Sequence, residues 1–144
     1  MWQRLLIKLG LAQRTAKHLR VGQRGEAIAA KHLKAKGYRM LGRNVQPRGG
    51  EADLVAVDPD GKSIVLVEVK ARIGGRHDPQ HAVGRDKRRR LIRTLQALRS
   101  SHRWDDRPGR IDLVTVWWRD DQPQPDVRHH VNAVSTAARS FRAL

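Results

Sequence analysis

No cysteine occurs in this chain, which excludes a disulfide framework and any zinc site built on thiolates, and fits a reducing compartment. Aromatic residues are scarce, with one Phe, one Tyr and four Trp. An RNA-binding sheet that stacks bases needs an aromatic platform, and the scattered Trp2, Trp104, Trp117 and Trp118 do not form one. No window approaches the ~20 apolar residues that a membrane-spanning helix needs. The start, Met1 to Leu9, is interrupted by charge and lacks the core and cleavage site of a signal peptide. Together these absences point to the cytoplasm. Acidic residues are also few: 14 Asp and Glu stand against 30 Lys and Arg, a formal net charge of +16. Self-repulsion of that size opposes compaction, so a polyanion is the natural partner. Nucleic acid is the first choice and an acidic membrane surface the second.

What is present suits one domain. The chain has 144 residues, 39% of them hydrophobic, and a mean hydropathy of -0.65, enough for a core under a heavily charged surface. Trp2, Leu5, Leu6, Leu9, Ala12, Ala16 and Leu19 follow helical spacing with basic residues between them, which predicts an amphipathic basic helix over residues 1–21, broken at Gly10. Docking on its own domain is the preferred reading of that stripe; a membrane-surface or partner helix is the other. A second helix is expected from Gly22 to about Lys36, stopped by Gly37, with Glu26, Ala29, Ala30 and Leu33 on one side. An acidic residue in a first helical turn usually complements the helix dipole. Glu26, however, sits on the face that should turn inward.

Tyr38 to Val45 reads as a first strand and Gln46–Gly50 as a turn. Two β-branched runs follow, Ala52–Val57 and Ile64–Lys70, around Asp58-Pro59-Asp60-Gly61-Lys62-Ser63, which has the composition of a hairpin turn. If Asp58 pairs with Ser63, Val57 faces Ile64 and Asp53 lies opposite Glu68, with Cβ atoms roughly 5 Å apart. Glu68 and Lys70 share one strand face, and Arg72 joins them if the strand continues. Two carboxylates so placed repel each other and lose hydration. A hard divalent cation relieves both costs. For Glu-x-Lys alone, Lys70 neutralising Glu68 at a wet strand end is the simpler reading; Asp53 and Glu26 favour a metal site.

Asp78-Pro79 resembles a helix start. A long helix is expected from about Asp86 to Ser101, burying Leu91, Ile92, Leu95 and Leu98 beneath Lys87, Arg88, Arg89, Arg90, Arg93 and Arg99. A charged run is usually a solvated face, but one of nearly one sign asks for phosphate. Arg110–Trp118 and Asp126–Val134 read as further strands, and Ser135–Leu144 as a terminal tail. Asp112, inside an aliphatic run, is equally a structural residue or a support for the site.

Other motifs fall away. Gly61-Lys62-Ser63 lacks the earlier glycine of a P-loop and precedes a strand instead of a helix. His77 and His81 have the spacing of a zinc pair, but Pro79 lies between them. His129 and His130 would point to opposite faces of a strand, and the histidines receive no role. No nucleophile elbow is present.

The order helix with Glu26, strand, Asp53, Glu68-Val69-Lys70, basic helix resembles the PD-(D/E)xK nuclease superfamily. Gly25-Glu26, Gly37-Tyr38, Arg43-Asn44, Gly50-Glu51-Ala52-Asp53-Leu54, Val67-Glu68-Val69-Lys70-x-Arg72 and Arg110-Ile111-Asp112-Leu113-Val114 resemble the bacterial YraN family, also called UPF0102, which is similar to archaeal Holliday-junction resolvases. The resemblance covers residues 22–134, between the N-terminal extension and the tail at 135–144. Val45 replaces the aromatic usual after Asn44, and Ala52 the usual Ile.

The resemblance implies an α/β fold with a restriction-endonuclease-like core: a central mixed sheet of about five strands flanked by helices. It also implies a metal-dependent endonuclease acting on DNA, including branched DNA. Glu26, Asp53 and Glu68 would hold Mg²⁺, with Mn²⁺ as a substitute and the Val69 carbonyl as a further ligand. Lys70 would serve the attacking water and the developing charge, with Glu51 as an outer partner of Asp53. Arg43, Arg72, Lys87, Arg88, Arg89 and Arg90 would contact phosphates; the related resolvases work as dimers, which makes a homodimer possible, although no dimer signature in this sequence survives a core-packing explanation. The competing readings are a non-catalytic nucleic-acid-binding module and a scaffold that depends on the N-terminal helix.

Overall fold

The alternating apolar runs assemble into one sheet between two helices. The computed structural model describes residues 2–76 and 83–136, with side chains from residue 17 onward. Helix α1 spans Trp2–Ala35, followed by β1 Arg39–Val45, β2 Ala52–Val57, β3 Ile64–Ile73, α2 Arg85–Ser101, β4 Gly109–Trp118 and β5 Asp126–Val134. The five strands lie side by side in chain order. Neighbours are antiparallel except β3 and β4, which run parallel and are joined through α2. This is the α/β, restriction-endonuclease-like core with a mixed sheet that the sequence predicts. Among the described residues, no helix is long and apolar enough to cross a membrane.

Strand β3 is central and covered on both faces, which explains its unbroken aliphatic run. Ile64, Val65, Leu66 and Val67 are all fully buried. Ile64 and Leu66 pack with Leu91, Leu95 and Leu98 of α2. Val65 and Val67 pack with Ala29, Ala30 and Leu33 of α1 on the other face. Continuing this alternation sends Glu68 and Lys70 to the α2 side.

Two helical expectations need correction. A break at Gly10 and a fresh start at Gly22 are predicted, yet α1 runs unbroken through both. A glycine inside a helix costs only about 1 kcal/mol relative to Ala, which the flanking turns outweigh. Leu19, the last member of the N-terminal apolar stripe, is exposed, so the expected docking on the chain's own core does not extend to it. The earlier side chains of that stripe lie outside the described residues, as do the helix start at Asp78-Pro79, the pair His77 and His81, and the tail from residue 137.

Gly25 explains how closely α1 approaches the sheet. A Cβ at Gly25 would come within 2.6 Å of the Ala71 Cβ, closer than such atoms are found, so only glycine lets this turn of α1 lie on β3. The next residue is Glu26. A small side chain therefore sets how near an acidic one stands to the strand ends.

Asp112 proves structural. It is fully buried on the α1 face of the sheet, the side of Val114 and Val116, whereas Glu68 turns to α2. Its Oδ1 accepts from Arg110 Nε at 2.8 Å and from the Asn132 backbone N–H at 2.9 Å, and its Oδ2 faces His129 Nε2 at 2.8 Å. Arg110 also donates to Asp58 Oδ2 at 2.8 Å and to the Tyr38 hydroxyl at 3.0 Å. Register slips between Ile111 and Leu113 opposite β5, where Asn132 adopts a positive φ of 53°. That irregularity aims the Asn132 N–H at the carboxylate. Burial pushes the Asp112 carboxyl up, but hydrogen bonds from His129, Arg110 and Asn132 outweigh it and hold it below its ordinary range. His129, which received no role from the sequence, is thus a buried member of this network.

Candidate active site

The hairpin turn sets the geometry. The Asp58 N–H donates to the Ser63 carbonyl at 2.9 Å, closing the loop. Asp60 collects the backbone N–H groups of Lys62 and Ser63 at 2.7 and 2.9 Å and the Ser63 hydroxyl at 2.8 Å. So pinned, β2 and β3 pair from Val57 with Ile64 to Leu54 with Val67, and the next step places Asp53 opposite Glu68. The ladder stops there. Asp53 Oδ2 instead accepts the Val69 N–H at 2.8 Å, which fixes one carboxylate at the end of the sheet. On the other side, β1 pairs Arg43 with Leu54 and Val45 with Ala52, so Asn44 faces Asp53. Asn44 has φ 48°, a left-handed conformation that Asn tolerates better than most residues.

The acidic groups sense one another. Burial, followed by the Asp53 charge, pushes the Glu68 carboxyl up to about 7, while a hydrogen bond and the charge of Lys87 oppose the rise. A hydrogen bond with Asp53 raises Glu68 further. Glu26 is raised as well, by burial first and by the charges of Asp53 and Glu51, against a hydrogen bond from Asn44 and the charge of Arg43. Helix α1, the β1–β2 edge and β3 therefore converge on one electrostatic neighbourhood.

The residues expected there divide into groups. Asp53 and Glu68 meet directly, and Glu26 feels the charge of Asp53 from α1. Val69 acts through its N–H on Asp53. Lys70 is half-buried on the strand face of Glu68, beside Thr115 of β4. Glu51 precedes β2 and is exposed. Arg43, Arg72, Arg88, Arg89 and Arg90 are exposed, and Arg72 lines a groove of about 580 Å³ with Lys17, His18, Val21, Ala71 and Ile73. Arg99 is tied to the Trp104 and Asp105 carbonyls at 3.4 and 2.9 Å.

Lys87 differs from its expected outward role. Its Nζ lies 2.9 Å from Glu68 Oε1, so α2 supplies the ammonium that answers this carboxylate. Sequence reasoning missed the pairing because Lys87 heads a run of like charges that hides which member turns inward. Asn44 was missed as a partner of Glu26; its only signal was its place in the Arg43-Asn44 pair.

Whether these groups suit a divalent cation depends on their number and chemistry. Carboxylate oxygens are the donors hard cations take, and the repulsion across Asp53 and Glu68 is what a cation would relieve. Among the described residues, no three acidic or histidine side chains stand close enough together to enclose an ion. Mg²⁺ is ordinarily held by one or two carboxylates with water and substrate phosphate completing its shell, so the Asp53–Glu68 pair fits it as a two-point site.

Residues 25–116, from Gly25 beside Glu26 through most of β4, match the model of "Uncharacterised protein family UPF0102". A UPF0102 protein of Symbiobacterium thermophilum is 41% identical over 119 residues, covering 82% of this chain and 95% of that protein. One from Geobacter metallireducens is 36% identical over 118 residues, covering 81% and 93%. One from Clavibacter michiganensis is 46% identical over 110 residues, covering 74% and 91%.

Proposed function

The chain belongs to the UPF0102 family, and from that premise we propose that it is a metal-dependent endonuclease of the PD-(D/E)xK kind, hydrolysing phosphodiester bonds in DNA. The observation that carries the reading is the Asp53–Glu68 pair: two carboxylates faced across a hairpin end, one raised to about 7 by burial and by the other. Nothing in the packing of a stable sheet requires that strain, whereas a cation site does. The formal charge of +16 and the exposed arginines of α2 support a polyanionic substrate. Such arginines position a duplex by its phosphates without reading its sequence, which suits recognition of branched or distorted shapes. A nuclease acting on the chromosome would work in the cytoplasm.

When bound, Mg²⁺ or Mn²⁺ would polarise the scissile phosphate and acidify a water. Asp53, immobilised by the Val69 N–H, and Glu68 would hold the ion as a two-point site, while Glu26, expected as a third ligand, would add only negative charge nearby from α1. Lys70, on the same strand face as Glu68, would orient the attacking water and stabilise charge growing on the phosphorane oxygens. Arg43, Arg72, Arg88, Arg89 and Arg90 would seat the backbone on either side.

A second reading, a nucleic-acid-binding module without chemistry, draws on Lys87: an ammonium on Glu68 neutralises the site with no metal at all. Cleavage of duplex, single-stranded, flap and four-way DNA by wild type and Lys70→Ala, with Mg²⁺ and Mn²⁺, separates the two. The nuclease reading expects wild type to cut at least one substrate and Lys70→Ala to lose about 10²-fold or more in rate while still binding it. Absence of cleavage across the panel would leave the binding module.

A further inference from the structure

We propose that Lys87 is a displaceable counter-ion: its ammonium holds Glu68 while no divalent cation is bound, and passes to a substrate phosphate when one is. The inference rests on the metal-dependent reading and extends it by making one side chain of helix α2 a moving part of the site.

The contact lies at the rim. Lys87 Nζ is 2.9 Å from Glu68 Oε1, and the side chains are 40% and 13% exposed, respectively. The carboxylate is thus enclosed while the ammonium has an open path to water. Lys87 also sits in the first turn of α2, where the helix dipole disfavours a cation, so the helix itself does not hold the ammonium in place. Lysine suits such a role: it is a hydrated point charge on a flexible stem, whereas arginine would lock a carboxylate with two parallel bonds.

Exchange follows from charge. A divalent ion held by Glu68 brings two positive charges to the oxygen that Lys87 now contacts, and the two cations repel. The released ammonium joins Arg88, Arg89 and Arg90, which already present an exposed basic surface from the same helix. Binding of the cation would in this way add one phosphate contact beside the scissile bond, which couples cation and DNA affinity.

Calorimetric titration of Mn²⁺ into the full-length wild type and Lys87→Met, without DNA, tests the first half. Lys87→Met should bind Mn²⁺ about five- to tenfold more tightly, because no ammonium has to leave. Lys87→Arg, which keeps the charge, should bind no more tightly than wild type. Binding of a fluorescent four-way DNA junction with and without Ca²⁺ tests the second half, and Ca²⁺ should strengthen binding more in wild type than in Lys87→Met. Unchanged or weaker Mn²⁺ affinity in a folded Lys87→Met, with wild type binding normally, overturns the proposal and leaves the metal site standing. Equal Ca²⁺ enhancement in both proteins overturns the transfer to phosphate. If neither protein binds Mn²⁺, the metal reading and this proposal fall together.

Discussion

Replacing Glu68 by Gln is expected to stabilise the cation-free protein at pH 8 and to abolish cleavage. In the folded protein the Glu68 carboxyl is raised from 4.5 to about 7, so folding favours its protonated form. Below about pH 4.5 the group is protonated in both folded and unfolded chains, and the folded state keeps the full benefit. As pH rises towards 7 the unfolded chain ionises first, and stability declines until the folded carboxyl has ionised too. At pH 8 the wild type therefore carries a buried carboxylate that Gln replaces with a neutral group of the same shape. The gain at pH 8 is of order 2–3 kcal/mol, or several degrees in Tm, and it should vanish near pH 4.5. Lys87 loses its partner in the variant, but as an exposed side chain it returns to water at small cost. Thermal melts of both proteins in EDTA at pH 4.5 and 8 measure the effect. A Gln variant less stable than wild type at pH 8 would show that the Lys87 pair outweighs the strain, and the pair could not then be read as a site kept for function at the expense of stability.

Arg110→Ala should produce the largest loss of stability, about 3–5 kcal/mol and a fall in Tm of roughly 10 °C or more. Its guanidinium binds Asp112, Asp58 and the Tyr38 hydroxyl together, and Asp112 is fully buried, so removal takes the guanidinium from a carboxylate that water cannot reach and leaves it only His129 and the Asn132 N–H. Arg110→Lys should recover little, because one ammonium cannot reproduce a fork aimed at two carboxylates. This network faces α1, on the side of the sheet away from the Glu68 and Lys87 contact. Variants that remain folded at low temperature should accordingly keep wild-type Mn²⁺ binding. Denaturant unfolding measures the first effect and calorimetry the second; lost cation affinity in folded Arg110→Ala would place this network within the active site.

The parts of the fold governed by local chemistry were legible in the sequence. The Asp58–Ser63 turn and strict alternation fixed the β2–β3 register, and with it the apposition of Asp53 and Glu68. The apolar stripe of α2 and the bounds of β5 followed from periodicity in the same way. What escaped was set by distant partners. Nothing near His129 shows that a carboxylate 17 residues earlier will bury it, and the irregularity that turns the Asn132 N–H inward leaves no sequence mark. Lys87 was hidden among like charges, because which of four basic neighbours turns inward depends on how α2 lies on the sheet. The continuity of α1 through Gly10 and Gly22 was missed because the cost of a glycine is small against that of ending and restarting a helix.

The claim beneath all of this is that Asp53 and Glu68 jointly bind a divalent cation. Thermal denaturation of wild type and Asp53→Asn at pH 8, across a series of Mg²⁺ and Mn²⁺ concentrations, examines it most directly, since a ligand that binds only the folded state raises Tm with its concentration. A progressive rise in wild type and a flat response in Asp53→Asn is the predicted result. Equal responses in the two proteins, or none in wild type, would contradict it.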